Sequence, residues 1–464
     1  MLRYFRINDP YRLVGLLVIM TLLYLPMFID TPMLTFPELE SFVLGERVSE
    51  GYSLYSELID STPPLASWFY GVCDIFGRSL TMRHLAGFLI LFLQSAFWGI
   101  VLIDKKAFSE NTYIPSFLFS VLAFIAHDTI ALTADLAAFG FTLLALNNLF
   151  KEIEFRIQRD ETIFNLGVFI SLASLFNFSY LIYLAGAVLI LALFTRTTLR
   201  KYLLLAFGFL LPHLLLHTAY FFMDSLDALW QFYYLPNLKF PTHSLMGLKS
   251  LVILCAIPLF YLFVSLFILG RDARLSKYQS QIFQAMFLWF VVVIVQLFFS
   301  NDLRPQSLIP LLPPVSFFLT HFLLLIRRRK FADMNVWILF LSIVVMAYLV
   351  RYDKISSIRN ENLVVGEADI EIKNKRILVL DNQPALFQYN TLAVPFYEWS
   401  LFQPIVEQPD RYDHVLLIHR AFKKEMPDVI VDPKNLMEGF FNRLPELKEK
   451  YEKSPEGYRL IPNN

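Results

Sequence analysis

HLAGFLILFLQSAFWGIVLI, residues 84–103, runs for 20 positions without one aspartate, glutamate, lysine or arginine. A helix rises about 1.5 Å per residue, so that stretch covers the roughly 30 Å hydrocarbon core of a bilayer. Comparable stretches lie near 13–30, 112–127, 130–149, 162–178, 180–195, 202–222, 250–270, 281–299, 307–326 and 334–350. The pattern predicts a polytopic α-helical membrane protein with about eleven transmembrane helices. Short turns are expected in the paired segments around His127-Asp128 and Asn177-Phe178-Ser179. The composition agrees. With 56% hydrophobic and 17% charged residues, and a mean hydropathy of +0.52, too little polar surface is left for a wholly water-soluble fold.

The first apolar run, Leu13 to Met27, follows Arg3, Arg6 and Arg12, and bulky Phe28 and Ile29 come after it instead of a small-residue cleavage site. An uncleaved first span is expected. Basic residues then alternate in number from loop to loop. One side takes Arg3, Arg6 and Arg12, then Lys105 and Lys106, then Lys151, Arg156 and Arg159. It continues with Arg196, Arg200 and Lys201, then Arg271, Arg274 and Lys277, then the run Arg327 to Lys330. The other side holds only Arg47, Arg78, Arg83, Lys239 and Arg304, with Lys249 at a boundary. Positive residues stay cytoplasmic. The expected location is therefore the plasma or inner membrane, with a cytoplasmic N-terminus and an extracytoplasmic C-terminus.

Two domains follow from this reading: a transmembrane module over 1–350, with a long external loop at 31–83, and a small extracytoplasmic α/β domain over 351–464. In the latter, 377–380, 415–418 and 429–431 are expected strands, and 435–453 an amphipathic helix. Equal totals of basic and acidic residues, 40 each, argue for no nucleic-acid partner. Cys73 and Cys255 form no disulfide framework and fit no metal spacing.

Chemistry has few places to sit. Glu38 and Glu40 lie in the first loop, which also carries Tyr52, Tyr55, Asp60 and Thr62-Pro63-Pro64-Leu65. The loop's aromatic content suits helices along the membrane surface, with Trp68 at headgroup depth. A carboxylate held there can act as general base toward an arriving hydroxyl or amine, and solvated loop acids are the plain alternative. Asp135 stands about a turn into a span, where an ionisable group usually faces a cavity or partner. Asp128 would share its face if that helix extended back far enough. An acid favoured by a helix N-terminus explains Asp135 equally well. Arg304, in Asn301-Asp302-Leu303-Arg304-Pro305-Gln306-Ser307, is placed to hold a phosphate, or to snorkel toward headgroups. His213 and His217 have metal-ligand spacing without an acidic or cysteine companion, and packing is the expected role. P-loop, dinucleotide-binding and serine-elbow motifs are absent from the sequence.

Together these elements resemble the GT-C superfamily of polytopic glycosyltransferases, and among them protein O-mannosyltransferases and lipid A aminoarabinose transferases. The resemblance rests on the acidic motif Glu38 to Glu40, then Gly51-Tyr52 and Pro63-Pro64-Leu65, then Arg83 opening the second span. Thr133-Ala134-Asp135, Arg304 through Pro314, and Pro427 to Asp432 continue it. It covers the first 150 residues and the stretch near 300–326. One departure stands out: Pro37 occupies the place where the family often has an aspartate.

The resemblance implies transfer of a sugar from a polyprenyl-phosphate donor to an acceptor on the extracytoplasmic face, with inversion. Glu38 or Glu40 would deprotonate the acceptor and Asp135 would orient it or the loop. Arg304, with Arg83, would hold the donor phosphate. A divalent metal ion bridging acids and phosphate is compatible with this scheme but not demanded by it, and no metal ligands are assigned. Partners would be membrane lipids, the lipid-linked sugar, an acceptor, and envelope proteins docking on 351–464. The departure at Pro37 keeps a non-catalytic assembly subunit as the second reading. A lipid or solute transporter ranks third, because the sequence has no internal repeat.

Overall fold

The computed structural model describes the chain apart from residues 155–158, 196, 241–243, 273–274, 301, 359–361, 367, 369–370, 394–395 and 463–464. Arg156, Arg196, Arg274 and Asn301, named above, lie outside the described residues. Among the described residues, seven helices are long and apolar enough to cross a bilayer: Arg12–Ile29, Leu80–Asp104, Ala134–Ile153, Leu199–Phe222, Lys277–Leu297, Pro305–Leu325 and Arg329–Arg351. Such helices make this an integral membrane protein.

The remaining four predicted spans are also helical, but shorter or bent. Residues 112–127 form Ile114–Ala123, 162–178 form Asp160–Phe176, and 180–195 fall within Phe178–Phe194. Residues 250–270 form Leu248–Leu254 and Ala256–Arg271, which meet at 66° and count as an eighth span if taken together. Pro258 supplies a cause, since it has no N–H to bond the Leu254 carbonyl. The eleven predicted spans are thus seven full-length helices, up to eight with the bent pair, and shorter pieces. Apolar length alone does not reveal where a helix stops.

By contacts the chain divides into two compact units. The first comprises Met1–Met33, Ser79–Leu216 and Phe240–Leu363. Its helices pack closely where side chains vanish. A Cβ on Gly87 would lie 2.0 Å from the Ile130 carbonyl oxygen, so this glycine lets Leu80–Asp104 rest on the turn His127–Ile130. Gly167 and Gly208 do the same for Asp160–Phe176 and Leu199–Phe222. Polar bonds add to the packing, as where Trp98 Nε1 donates to Ser316 Oγ at 3.0 Å. Phe207, Leu214, Leu215, Phe263 and Phe267 remain exposed, as lipid-facing side chains do.

The second unit comprises Leu34–Arg78, His217–Lys239 and Val364–Asn464. It contains a five-stranded sheet of β1 (Arg376–Val379), β2 (Thr391–Leu392), β3 (Val429–Val431), β4 (Tyr451–Ser454) and β5 (Gly457–Leu460), in the order β2-β1-β3-β5-β4. β1 runs parallel to β2 and β3, while β5 is antiparallel to β3 and β4. The predicted strands at 377–380 and 429–431 correspond to β1 and β3. That at 415–418 is instead part of the helix Tyr412–Lys424, burying Ile418 and Phe422 four positions apart. Four apolar residues are too few to separate period 2 from period 3.6. The predicted helix over 435–453 is interrupted at Pro445 and gives way to β4.

The 34–78 segment forms the helices Phe36–Ser49 and Pro64–Cys73, and Trp68 is exposed. A Cβ on Gly45 would meet the Tyr70 carbonyl oxygen at 2.5 Å, so the two helices touch backbone to backbone. The segment is tied to the sheet region by buried charge. Arg47 Nη1 reaches Glu50 at 2.7 Å and Glu425 at 3.4 Å, and Tyr52 donates to Glu425 at 3.0 Å. Arg78 donates to the carbonyls of Phe387, Gln388 and Asn390.

Candidate functional site

In the first unit the polar residues of several elements collect around Arg304. Extended backbone at Arg304 precedes Pro305, whose ring disfavours helix in the residue before it. The arginine N–H donates to Ser307 Oγ at 3.0 Å, which starts the helical turn Pro305–Leu311. Its side chain is buried, and Nη2 donates to Asp135 Oδ2 at 2.7 Å, Gln306 Oε1 at 2.8 Å and Thr133 Oγ1 at 3.2 Å. Thr133 in turn donates to Gln306 Oε1 at 2.6 Å.

Asp135 occupies the first turn of Ala134–Ile153, where the helix N-terminus favours a carboxylate. Its other oxygen accepts from Asn177 Nδ2 at 2.5 Å, and Asn177 Oδ1 accepts from the Ser179 hydroxyl at 2.8 Å. Gln296 Nε2 donates to Ser179 Oγ at 2.7 Å. Both explanations of Asp135 therefore hold at once: a helix-start acid, and the counter-ion of a buried arginine.

Asp128 enters by a different route from the one expected. The helix does not reach back to it; Asp128 sits in the turn His127–Ile130 and accepts from the Gln306 backbone N–H at 2.9 Å. Gln306 and Asn177 are the members of this group that sequence reasoning missed. Each is an amide at the end of an apolar segment, which is the available signal. Arg83 is buried beside His84 in the first turn of Leu80–Asp104.

The second unit holds the acidic loop. Thr35 and Glu38 form a capping box at the head of Phe36–Ser49: Glu38 Oε2 accepts from the Thr35 amide at 3.0 Å and from its hydroxyl at 2.7 Å. Glu38 is buried in that structural task. Glu40, half-buried, accepts from the Thr62 hydroxyl at 3.0 Å, and Asp60 contacts the same hydroxyl. The Thr62 hydroxyl thus meets two carboxylates. Of the two glutamates, only Glu38 serves as part of a helix cap. Asp60 joins Glu40, although its position among loop residues gave no sign of that.

Tyr55 supports this loop at a cost, with φ of 69° in the left-handed region that side chains avoid. Burial pushes its phenol well above the usual value, so it stays protonated and donates to the Thr62 carbonyl at 2.6 Å. His213 pairs with Ser174 Oγ at 3.2 Å, while the His217 ring packs on Tyr234 and Trp230. Among the described residues no three His, Cys, Asp or Glu side chains gather as metal ligands would.

Buried ion pairing at the ends of apolar helices, with an acidic loop in a separate unit, defines a membrane protein equipped for polar chemistry. No protein-family profile and no curated protein sequence matches this chain. Among solved structures it is similar to ArnT from Cupriavidus metallidurans bound to undecaprenyl phosphate, at 13% identity and a TM-score of 0.47. The apo state of the same protein gives 14% and 0.49, and in both cases 70% of this chain and 62% of that chain are covered. This chain therefore spans less than two thirds of the length of ArnT. The Archaeoglobus fulgidus oligosaccharyltransferase in its apo form is similar over 98% of this chain and 75% of that one, at 10% identity and a TM-score of 0.48. At such identities the roles of side chains have to come from their own chemistry.

Proposed function

We propose that this chain is a membrane glycosyltransferase that takes a sugar from a polyprenyl-phosphate donor and passes it to an acceptor with inversion. The supporting observation is the buried Arg304, a fixed cation held by Asp135 and by neutral oxygen acceptors. In this reading Arg304, with Arg83, compensates the phosphate charge that grows as the glycosidic C–O bond breaks. The acceptor oxygen attacks the anomeric carbon from the opposite face, and its proton passes to Glu40, with Glu38 fixing the helix that carries it. Asp135 acts as a positioning residue, keeping the guanidinium in one orientation. A divalent ion between acid and phosphate is compatible with the scheme. The distribution of basic residues supports a cytoplasmic N-terminus and chemistry on the extracytoplasmic side. It also supports an extracytoplasmic position for 351–464, most of which shares one compact unit with Leu34–Arg78 and His217–Lys239.

Purified full-length protein should bind undecaprenyl phosphate saturably, and Arg304→Ala should abolish that binding while still inserting into membranes. Arg304→Lys keeps the charge and guards against a misfolded alanine variant; it should bind weakly. Unchanged binding by both variants removes Arg304 from the donor site.

A second reading, a non-catalytic assembly subunit, is favoured by Pro37 at the family's acid position and by the capping task of Glu38. Full biological function in a Glu40→Gln, Asp60→Asn variant decides for it.

A further inference from the structure

We propose that a cavity in the second unit binds a negatively charged sugar residue, and that this residue belongs to the acceptor. Only the assignment to the acceptor rests on the transferase reading; the binding itself does not. The cavity measures about 310 Å³, at the low end of the range for small-molecule sites and too small for a lipid tail.

Three segments build it. The first is the turn Trp230–Tyr234, wound with five residues per hydrogen-bonded ring, a geometry that recurs at functional sites. That turn is held from below: Asn237 Nδ2 donates to the Tyr233 carbonyl at 2.9 Å and to the Ser61 carbonyl at 2.8 Å. The others are the helices Trp399–Val406 and Tyr412–Lys424.

The lining is divided by chemistry. Phe232, Leu401 and Pro404 are the apolar part of the lining, suited to the C–H face of a pyranose ring. Gln231 and Gln408 supply amides that can both donate and accept, as sugar hydroxyls require. Lys239 and Arg411 add positive charge and His414 a ring nitrogen, and among the described residues no acid lines the cavity. Arg411 is forked onto Asp413, with Nε to Oδ1 at 3.1 Å and Nη2 to Oδ2 at 2.6 Å, an exposed pair that a ligand carboxylate or phosphate can replace. His414 Nδ1 lies 3.2 Å from the Gln408 carbonyl oxygen, which orients the ring. Ser400 is already engaged with Glu398 at 2.5 Å and contributes little to a ligand. Lys239 is the lining cation for which no acidic partner is recorded among the described residues, so it can pair with a ligand anion without displacing one. Apolar side chains, paired amides and a cation in so small a space fit an anionic hexose better than a bare anion, which would use none of the apolar lining.

The test is ligand-observed NMR or titration on the full-length protein in detergent, with glucuronate, glucose and inorganic phosphate as probes. Glucuronate should bind saturably and compete with neither undecaprenyl phosphate nor its analogues. Lys239→Gln should weaken glucuronate about fivefold, as one partly exposed charge contact would. Gln408→Ala, at an exposed position, should weaken glucuronate further without touching the charge. Three results overturn the proposal: no saturable glucuronate binding, binding indifferent to both variants, or inorganic phosphate binding as tightly as glucuronate. Failure here leaves the donor-binding test of Arg304 unaffected, so the two ideas fall separately.

Discussion

Neutralising Asp135 should cost the protein more than neutralising Asp135 and Arg304 together costs per residue. The two side chains are 10% and 5% exposed and meet at 2.7 Å. At an effective dielectric of about 20 their attraction is roughly 6 kcal/mol. Desolvation of both ions offsets most of that, so the pair set against a neutral pair of similar shape should be worth little. Breaking one side is different, because it strands a buried charge at a cost of about 3–5 kcal/mol. Asp135→Asn keeps the shape and one acceptor for Asn177 but replaces the carboxylate facing Arg304 with a neutral amide. Arg304→Met keeps much of the volume but strands Asp135, softened by Asn177. Each single variant should therefore lose about 3 kcal/mol, and the double variant clearly less than the sum, with a coupling of about 2 kcal/mol or more. Denaturant unfolding of the four proteins in one detergent, followed by tryptophan fluorescence, measures this cycle. Additivity within about 0.5 kcal/mol would refute the reasoning, since it would mean that the carboxylate and guanidinium do not feel each other.

Two further outcomes are expected in the second unit. Arg47→Ala removes a 5% exposed guanidinium from Glu50 and Glu425; Glu425 keeps Tyr52, so the loss should be about 2–3 kcal/mol, seen as faster protease cleavage within 34–78. At Glu57 burial raises the carboxyl's pKa, but hydrogen bonds from Lys424 and the Ser53 amide outweigh it and leave it below the ordinary 4.5. A depressed carboxyl stabilises the fold above its unfolded value and loses that contribution as pH falls through the folded one. Thermal unfolding of wild type and Glu57→Gln should accordingly differ slightly at neutral pH and converge in acid. A gap that persists in acid would contradict the pairing.

The membrane character was legible because it depends on a sum. Twenty apolar residues in a row need no partner to declare themselves, and each expected span contains a helix. Their lengths were not legible, because helix ends are set by particular atoms. Pro258 interrupts one helix, and Pro305, Pro310 and Pro313 shape the start of another. In the sheet region, 377–380 and 429–431 were readable as strands because strong β-formers stood isolated between turn residues. At 415–418 the same four-residue signal lay inside the amphipathic helix Tyr412–Lys424, and only the burial of Phe422, four residues beyond Ile418, resolves the period.

The site divides along the same line. Arg304 and Asp135 could be singled out one at a time, since an ion at the edge of an apolar segment must be accounted for. That they are partners could not be read, because 169 residues separate them. Knowing the pair changes the chemistry assigned to it. A carboxylate whose two oxygens are engaged by Arg304 and Asn177 has little room left to meet an incoming hydroxyl. Asp135 is therefore better suited to fix the arginine than to act as a base. The same reasoning takes Glu38 out of contention through its cap on Thr35 and raises Glu40 and Asp60, which share the Thr62 hydroxyl. In the proposed reaction the proton goes to Glu40 and the phosphate charge is met by Arg304.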